Sequence, residues 1–292
     1  MKTPPIVIIY NPNSTGPSKE QALSFAKELK RADASVEVTC LATQYPGHGE
    51  ALARQYATEG KPCLLISSSG DGGYHELVNG VLSVPDSKVM TGLLPGGNAN
   101  DHYNAIHTED VIDRILRAQS TTIDTIRVDA RIKGEPWVRY AHSYAGIGLT
   151  SHIGETLTKT KLNAFREVWI VITHLFSHSP VRIRRHGRTY SYNSIIFSNI
   201  ARMSKVLSLT ENASFTDGKM EITENESRHL LSLVSHFLLG AIGGFKSEQR
   251  VKSYVFTCIR KTSMQLDGEV YYFPAGTRIK VQVVQGNLHC II

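Results

Sequence analysis

Three short polar turns carry the residue types best suited to chemistry: Asn11-Pro12-Asn13-Ser14-Thr15-Gly16, Ser69-Gly70-Asp71-Gly72-Gly73 and Pro95-Gly96-Gly97-Asn98-Ala99-Asn100-Asp101. Glycines in such turns let backbone N–H groups approach an anion closely, and a helix beginning just beyond adds partial positive charge. The second turn runs straight into Tyr74-His75-Glu76-Leu77-Val78-Asn79-Gly80, a helical pattern. A carboxylate at Asp71 would repel a phosphate held there, which calls for a divalent cation between the two or a sugar hydroxyl as its partner. The first turn adds amide and hydroxyl groups, with Lys19 one turn further on. Taken singly, each turn also reads as an ordinary connection, with Asp71 as a helix cap and Asn11 as the start of an Asx turn. A fourth acidic turn, Leu266-Asp267-Gly268-Glu269, stands far along the chain.

The elements that must position these turns follow from hydrophobic periodicity. Ile6–Tyr10, Val36–Leu41, Cys63–Ser67 and Val89–Leu94 read as buried strands, and Ser18–Ala32, Gly49–Glu59, Gly73–Leu82 and Thr108–Ala118 carry apolar residues at helical spacing. That alternation predicts βαβ units around a parallel sheet. In such a sheet ligands bind beyond the carboxyl ends of the strands, where all three Gly-rich turns fall. After Ile126 the texture changes to alternating segments, Trp137–His142, Tyr190–Asn199, Lys252–Arg260 and Arg278–Val284, interrupted by helix candidates at Leu162–Phe176 and Leu230–Leu239. The expected fold is α/β with two domains: a Rossmann-like parallel domain over residues 1–126 and a mostly antiparallel β-sandwich domain over 127–292.

Composition narrows the partners. A net charge of +6 and an isoelectric point near 9.1 favour an anionic partner without choosing among nucleotide, acidic lipid surface and nucleic acid. No helix-turn-helix or zinc-finger spacing appears, so nucleic acid is not the expected partner. The four cysteines are far apart and the histidines scattered, which indicates neither a zinc site nor a disulfide framework and fits a cytoplasmic protein. The apolar run Ile6–Ile9 is too short for a signal peptide. Leu230–Phe245, broken by Ser232, Ser235 and His236, falls short of the roughly 20 residues that span a bilayer. The basic stretch Arg182–Arg188 reads either as a charged edge strand or as a contact for an anionic membrane, where each near-surface cation is worth about 1 kcal/mol. Trp169, Leu175 and Phe176, or Leu230–Phe245, read as helix packing or as an apolar wall for lipid entry.

In order and spacing these motifs resemble the diacylglycerol kinase catalytic-domain family of soluble bacterial lipid kinases, with sphingosine, ceramide and, more distantly, NAD kinases. The first turn looks like the family's Asn-Pro-x-Ser-Gly start. The second, with Glu76 and Asn79-Gly80, looks like its Gly-Gly-Asp-Gly-Thr-x-Asn-Glu segment, and the third like Pro-x-Gly-Thr-x-Asn-Asp. Asp267-Gly268-Glu269 is similar to its C-terminal acidic turn, and Asp124, Gly146-x-Gly148 and Ala213–Met220 extend the likeness along most of the chain. Ser69, Gly73, His75 and Asn98 depart from the family's Gly, Thr, Asn and Thr.

The resemblance implies a lipid kinase of phospholipid biosynthesis, peripheral at the inner membrane surface, that transfers the γ-phosphoryl of ATP to a hydroxyl of diacylglycerol or a related lipid with Mg2+. Asn11, Ser14, Thr43, Gly70, Gly72, Gly73, Gly97, Asn98 and Asp101 would line the nucleotide site, and Asp71 would organise magnesium and phosphates. Glu269 matches the general base, supported by Asp267. Asp217, with the backbone carbonyls of Ser214 and Lys219, matches the ligands of a structural magnesium. A kinase for a soluble alcohol such as NAD, a member that binds nucleotide or lipid but transfers poorly, and a homodimer all remain open at this point.

Overall fold

The computed structural model describes residues 3–14, 16–97, 100–106, 111–148, 180–203, 207–208, 213–226 and 249–292. The chain divides into two compact units, Met1–Ile123 with Gly286–Ile292, and Asp124–Gln285.

The first unit opens with β1 (Ile6–Tyr10), α1 (Ser18–Ala32), β2 (Val38–Ala42), α2 (His48–Thr58), β3 (Cys63–Ser68), α3 (Gly70–Leu82), β4 (Val89–Leu93), α4 (Asp101–Ile106) and α5 (Val111–Leu116). Continuous apolar runs such as Ile6–Ile9 and Cys63–Ile66 are what a sheet covered on both faces requires, and both are fully buried. Pairing is parallel throughout, with Ile6 beside Val38 on one flank and Leu64 on the other, giving the order β2-β1-β3-β4. Ala22 and Leu29 form the buried stripe of α1 and pack with Ile6, Ile8, Leu64 and Ile66. Lys30 and Arg31 sit in its last turn, where cations oppose the helix dipole. β1 and α1 follow the expected bounds. α3 begins three residues earlier than its periodicity suggests, because Gly70, at φ +71, carries the chain directly from strand into helix. The sheet is completed by residues 286–292: Ile291 N–H donates to the Thr91 carbonyl at 2.8 Å, beside β4.

The second unit follows from β5 (Thr121–Ile132), which starts in the first unit, through β6 (Glu135–Ala141), β7 (Tyr144–Gly148), β8 (Val181–Arg185), β9 (Arg188–Tyr192), β10 (Ser194–Ser198), β11 (Arg202–Met203), β12 (Leu207–Ser208), β13 (Met220–Asn225), β14 (Gln249–Val251), β15 (Ser253–Cys258), β16 (Thr262–Leu266), β17 (Glu269–Phe273) and β18 (Arg278–Cys290). One antiparallel sheet runs β14-β13-β10-β7-β16-β17. The other runs β18-β15-β8-β9, with the β5–β6 hairpin joined to β18. Alternation is clear on β18, where Ile279 and Val281 are buried between exposed Arg278 and Lys280. Phe197, Met264 and Leu266 of the first sheet share one core with Tyr254, Phe256, Ile279 and Val281 of the second, the construction of a β-sandwich. The architecture is thus α/β with a parallel-sheet unit and a mostly antiparallel one. The helices expected at Leu162–Phe176 and Leu230–Leu239 lie outside the described residues. Among the described residues no helix is long and apolar enough to cross a membrane.

Candidate functional site

The strand order β2-β1-β3-β4 reverses direction between β1 and β3, the topological switch point at which open α/β sheets open a crevice. The loops after these two strands are joined there. Asn11 N–H donates to Ser69 Oγ at 2.9 Å and to Ser18 Oγ at 3.1 Å. Asn11 Oδ1 accepts Asn13 N–H at 2.9 Å, the Asx turn that its type favours. Ser14 Oγ donates to the Gly96 carbonyl at 3.1 Å, tying the first loop to the third. Ser18 and Ser68 exchange hydroxyl-to-carbonyl bonds beneath them. Because the Ser69 hydroxyl faces Asn11, it makes no cap for α3. The positive N-terminus of a 13-residue helix therefore begins at the switch point without a side-chain cap, the arrangement that suits a phosphate.

The second and third loops touch through glycine. A Cβ on Gly70 would lie 2.7 Å from Gly97 Cα, and one on Gly97 would lie 2.9 Å from Gly70 Cα, so any side chain at either position would force the loops apart. Asn100, at φ +52, closes the third loop by accepting Gly97 N–H at 2.9 Å and donating to the Gly97 carbonyl at 2.9 Å. Asp71, in the first turn of α3, accepts Asp101 N–H at 3.0 Å with Oδ2 and His102 N–H at 3.1 Å with Oδ1. Its carboxylate thus holds the start of α4, where a negative charge is favoured. Gly72 and Gly73 share the same first turn, and Asp101 is buried. Asn98 lies outside the described residues. Thr43 follows β2, its N–H donating to the Tyr10 carbonyl at 2.9 Å. Glu76, one turn along α3, accepts the N–H groups of Gly47 and Gly49 at 2.9 Å each and so fixes the loop into α2. The structure therefore brings Asn11, Ser14, Gly70, Asp71, Gly97 and Asp101 into one bonded set of loops.

In the second unit, Asp267 (φ +49) and Gly268 (φ +101) form a two-residue hairpin turn between β16 and β17, with Leu266 paired to Glu269. Two successive positive φ values define the type I′ turn that Asp-Gly favours. Asp267 Oδ1 accepts Ser143 N–H at 2.9 Å and Tyr144 N–H at 3.1 Å, while Oδ2 accepts His142 N–H at 2.9 Å. Glu269 follows on the surface, exposed, at the start of β17. Asp267 therefore pins this hairpin to the His142–Tyr144 backbone, and Glu269 lies just beyond its glycine.

Asp217 stands in a network of side-chain and backbone bonds. Asp217 Oδ2 pairs with Arg250, and Oδ1 accepts Lys219 N–H at 3.0 Å. Arg250 Nε stands 2.9 Å from Oε1 of Glu221, a buried carboxylate that burial pushes above its ordinary range against the pull of Arg250. Ser214 Oγ accepts Thr216 N–H at 3.4 Å. Gly218 N–H donates to buried Asp124, which pins this turn. The Ser214 and Lys219 carbonyls of the expected magnesium set take no part in these contacts. Among the described residues no three His, Cys, Asp or Glu side chains converge as metal ligands.

Tyr45, His48 and Arg250 are residues that sequence reasoning passes over, and none of them lies in a recognisable motif, whereas Asn100 is already legible in the third turn.

The family model of the diacylglycerol kinase catalytic domain matches residues 5–128. The chain is 31% identical over 287 residues to the diacylglycerol kinase of Staphylococcus aureus (strain bovine RF122 / ET3-1), a match that covers 90% of this chain and 85% of the relative. Another match, 31% identical over 163 residues to the diacylglycerol kinase of Staphylococcus aureus (strain MRSA252), spans 47% of that relative's length. Crystal structures of a diacylglycerol kinase from Bacillus anthracis str. Sterne (TM-score 0.69, 17% identity, 100% of this chain and 97% of that one) and of yeast NADH kinase with NADH (TM-score 0.52, 11% identity, 100% and 84%) share the fold. Its motifs, its architecture and a near full-length relative agree: the chain belongs to the diacylglycerol kinase family.

Proposed function

We propose that this kinase-family chain transfers the γ-phosphoryl group of ATP to a hydroxyl of diacylglycerol or a related lipid, acting in the cytoplasm against the anionic inner face of a membrane. The observation that carries the nucleotide part is the switch-point crevice. There three small-residue loops are bonded to one another, and the uncapped N-terminus of α3 offers backbone donors to phosphates.

Phosphoryl transfer asks a protein mainly to position the reactants and to neutralise charge. In this reading Gly70, Gly72, Gly73 and Gly97 keep the backbone low around the phosphates. Asn11 and Ser14 hold the first loop in register, and Thr43 stands at the nucleotide's sugar side. Mg2+, bound through the phosphates and Asp71, would supply charge neutralisation at the transferring group. Glu269 takes the proton of the acceptor hydroxyl, and Asp267 keeps that carboxylate in place. The acceptor class is carried by family membership. Exposed Arg182 and Arg184 on β8, with Arg278 and Lys280 exposed on β18, give the second unit cations for an anionic bilayer.

The test is transfer of labelled phosphate from ATP to diacylglycerol in mixed micelles, with NAD and a no-acceptor control in parallel. Labelling of diacylglycerol that is lost in Asp71→Ala and Glu269→Gln supports the reading. Labelling of NAD alone, or equal labelling by all three proteins, defeats it.

A further inference from the structure

Tyr45 stands in solvent, 56% exposed, as few large apolar side chains here do. Its ring stacks on His48, with centroids 4.7 Å apart and planes 26° from parallel. The stretch that carries this pair is held firmly. Thr43 is bonded to Tyr10 at the end of β1, His48 Nδ1 accepts Gln44 N–H at 3.1 Å, and Glu76 grips the N–H groups on either side of His48, at Gly47 and Gly49. Gly47, at φ +84, makes the turn into α2. A ring fixed from behind and bare in front loses little conformational freedom on meeting a flat partner.

Position specifies that partner. β2 lies beside β1, and β1 beside β3, so the end of β2 is two strand spacings, about 10 Å, from the Ser69–Gly73 turn. A nucleotide with its phosphates at α3 extends its sugar and base across the end of β1 toward Tyr45. We propose that the outer face of Tyr45, backed by His48, is the platform on which the nucleobase stacks, an inference that rests on the nucleotide reading above. Every base has a π-face, so the platform itself sets affinity and does not discriminate adenine from guanine.

The experiment is calorimetric titration of the full chain with ADP, with GDP and with inorganic tripolyphosphate, for wild type, Tyr45→Ala and Tyr45→Phe. The platform requires Tyr45→Ala to weaken ADP and GDP alike by about 5- to 150-fold, the range for losing one base–aromatic stack. Tyr45→Phe should bind ADP within about twofold of wild type, and tripolyphosphate should bind all three proteins equally. Undiminished ADP binding by Tyr45→Ala overturns the platform while leaving the nucleotide site standing, and so does a parallel loss of tripolyphosphate. Wild type that binds no ADP removes both.

Discussion

Gly70 and Gly97 meet backbone to backbone: each lacks a Cβ that would otherwise fall within 3 Å of the other's Cα. The contact joins the loop after β3 to the loop after β4. Gly97 does not have a positive φ, so Gly97→Ala is compatible with its own backbone and perturbs the Gly70 contact and, at 3.2 Å, the Asn100 Oδ1 that closes the loop. Overpacking of this kind costs about 1–3 kcal/mol. Gly97→Ala is expected to lower the melting temperature and to weaken ADP binding about tenfold or more, with unchanged far-ultraviolet circular dichroism. Gly70→Ala should be worse, since φ +71 adds backbone strain to the clash.

Asp71 provides a second, separable test. Removing its carboxylate releases two N–H groups at the start of α4, a capping loss of about 0.5–2 kcal/mol. Asp71→Ala should lose transfer activity and lower the melting temperature. Asp71→Asn, which keeps one acceptor, should recover much of the stability but not the activity. Full activity in Asp71→Asn would reduce Asp71 to a cap.

The two acidic residues of the β16–β17 hairpin should part company under mutation. Asp267→Ala strands three buried N–H groups, each worth about 1–3 kcal/mol when left without a partner. It should destabilise the protein severely in a thermal melt. Glu269→Gln, on the surface, should melt within about 0.5 kcal/mol of wild type and lower kcat by roughly 10²–10⁴-fold with nucleotide affinity intact.

Thiol chemistry and alkaline pH probe the cores. Burial raises the thiols of Cys63, Cys258 and Cys290 from 9.0 to about 11, and the Tyr192 hydroxyl from 10.0 to about 12. All four are neutral acids that ionise earlier in the unfolded chain. Their stabilising contribution is complete below about pH 9 and is lost as pH rises through about 11 to 12. Melting temperature should hold steady to about pH 9 and then fall. In native protein at neutral pH a disulfide reagent should modify Cys40, the one cysteine that is not buried, before the other three.

The sequence is readable where the cause is local. The bounds of β1 and α1 follow from a short apolar run and a helical stripe, and the Asp-Gly turn follows from the two positive φ values that those residues tolerate. What Asp71 does is not readable, because its partners are backbone N–H groups 30 residues away on a helix of six residues, too short to show a period. Arg250 opposite Asp217 is a pairing across 33 residues that no motif contains. Tyr45 looks like any surface tyrosine until its stacking and the Glu76 clamp are seen together. Nothing in residues 286–292 announces a return to the first sheet, since an apolar strand does not name its neighbour.

That return sets the order of assembly. While a ribosome is still producing the second unit, the nascent first unit has β4 as an open rim whose donors and acceptors await Cys290 and Ile291. An exposed rim of that kind recruits stray strands. Residues 1–123 produced as a fragment should accordingly be sticky and short-lived, and nucleotide binding should mature only once residues 286–292 are in place beside β4.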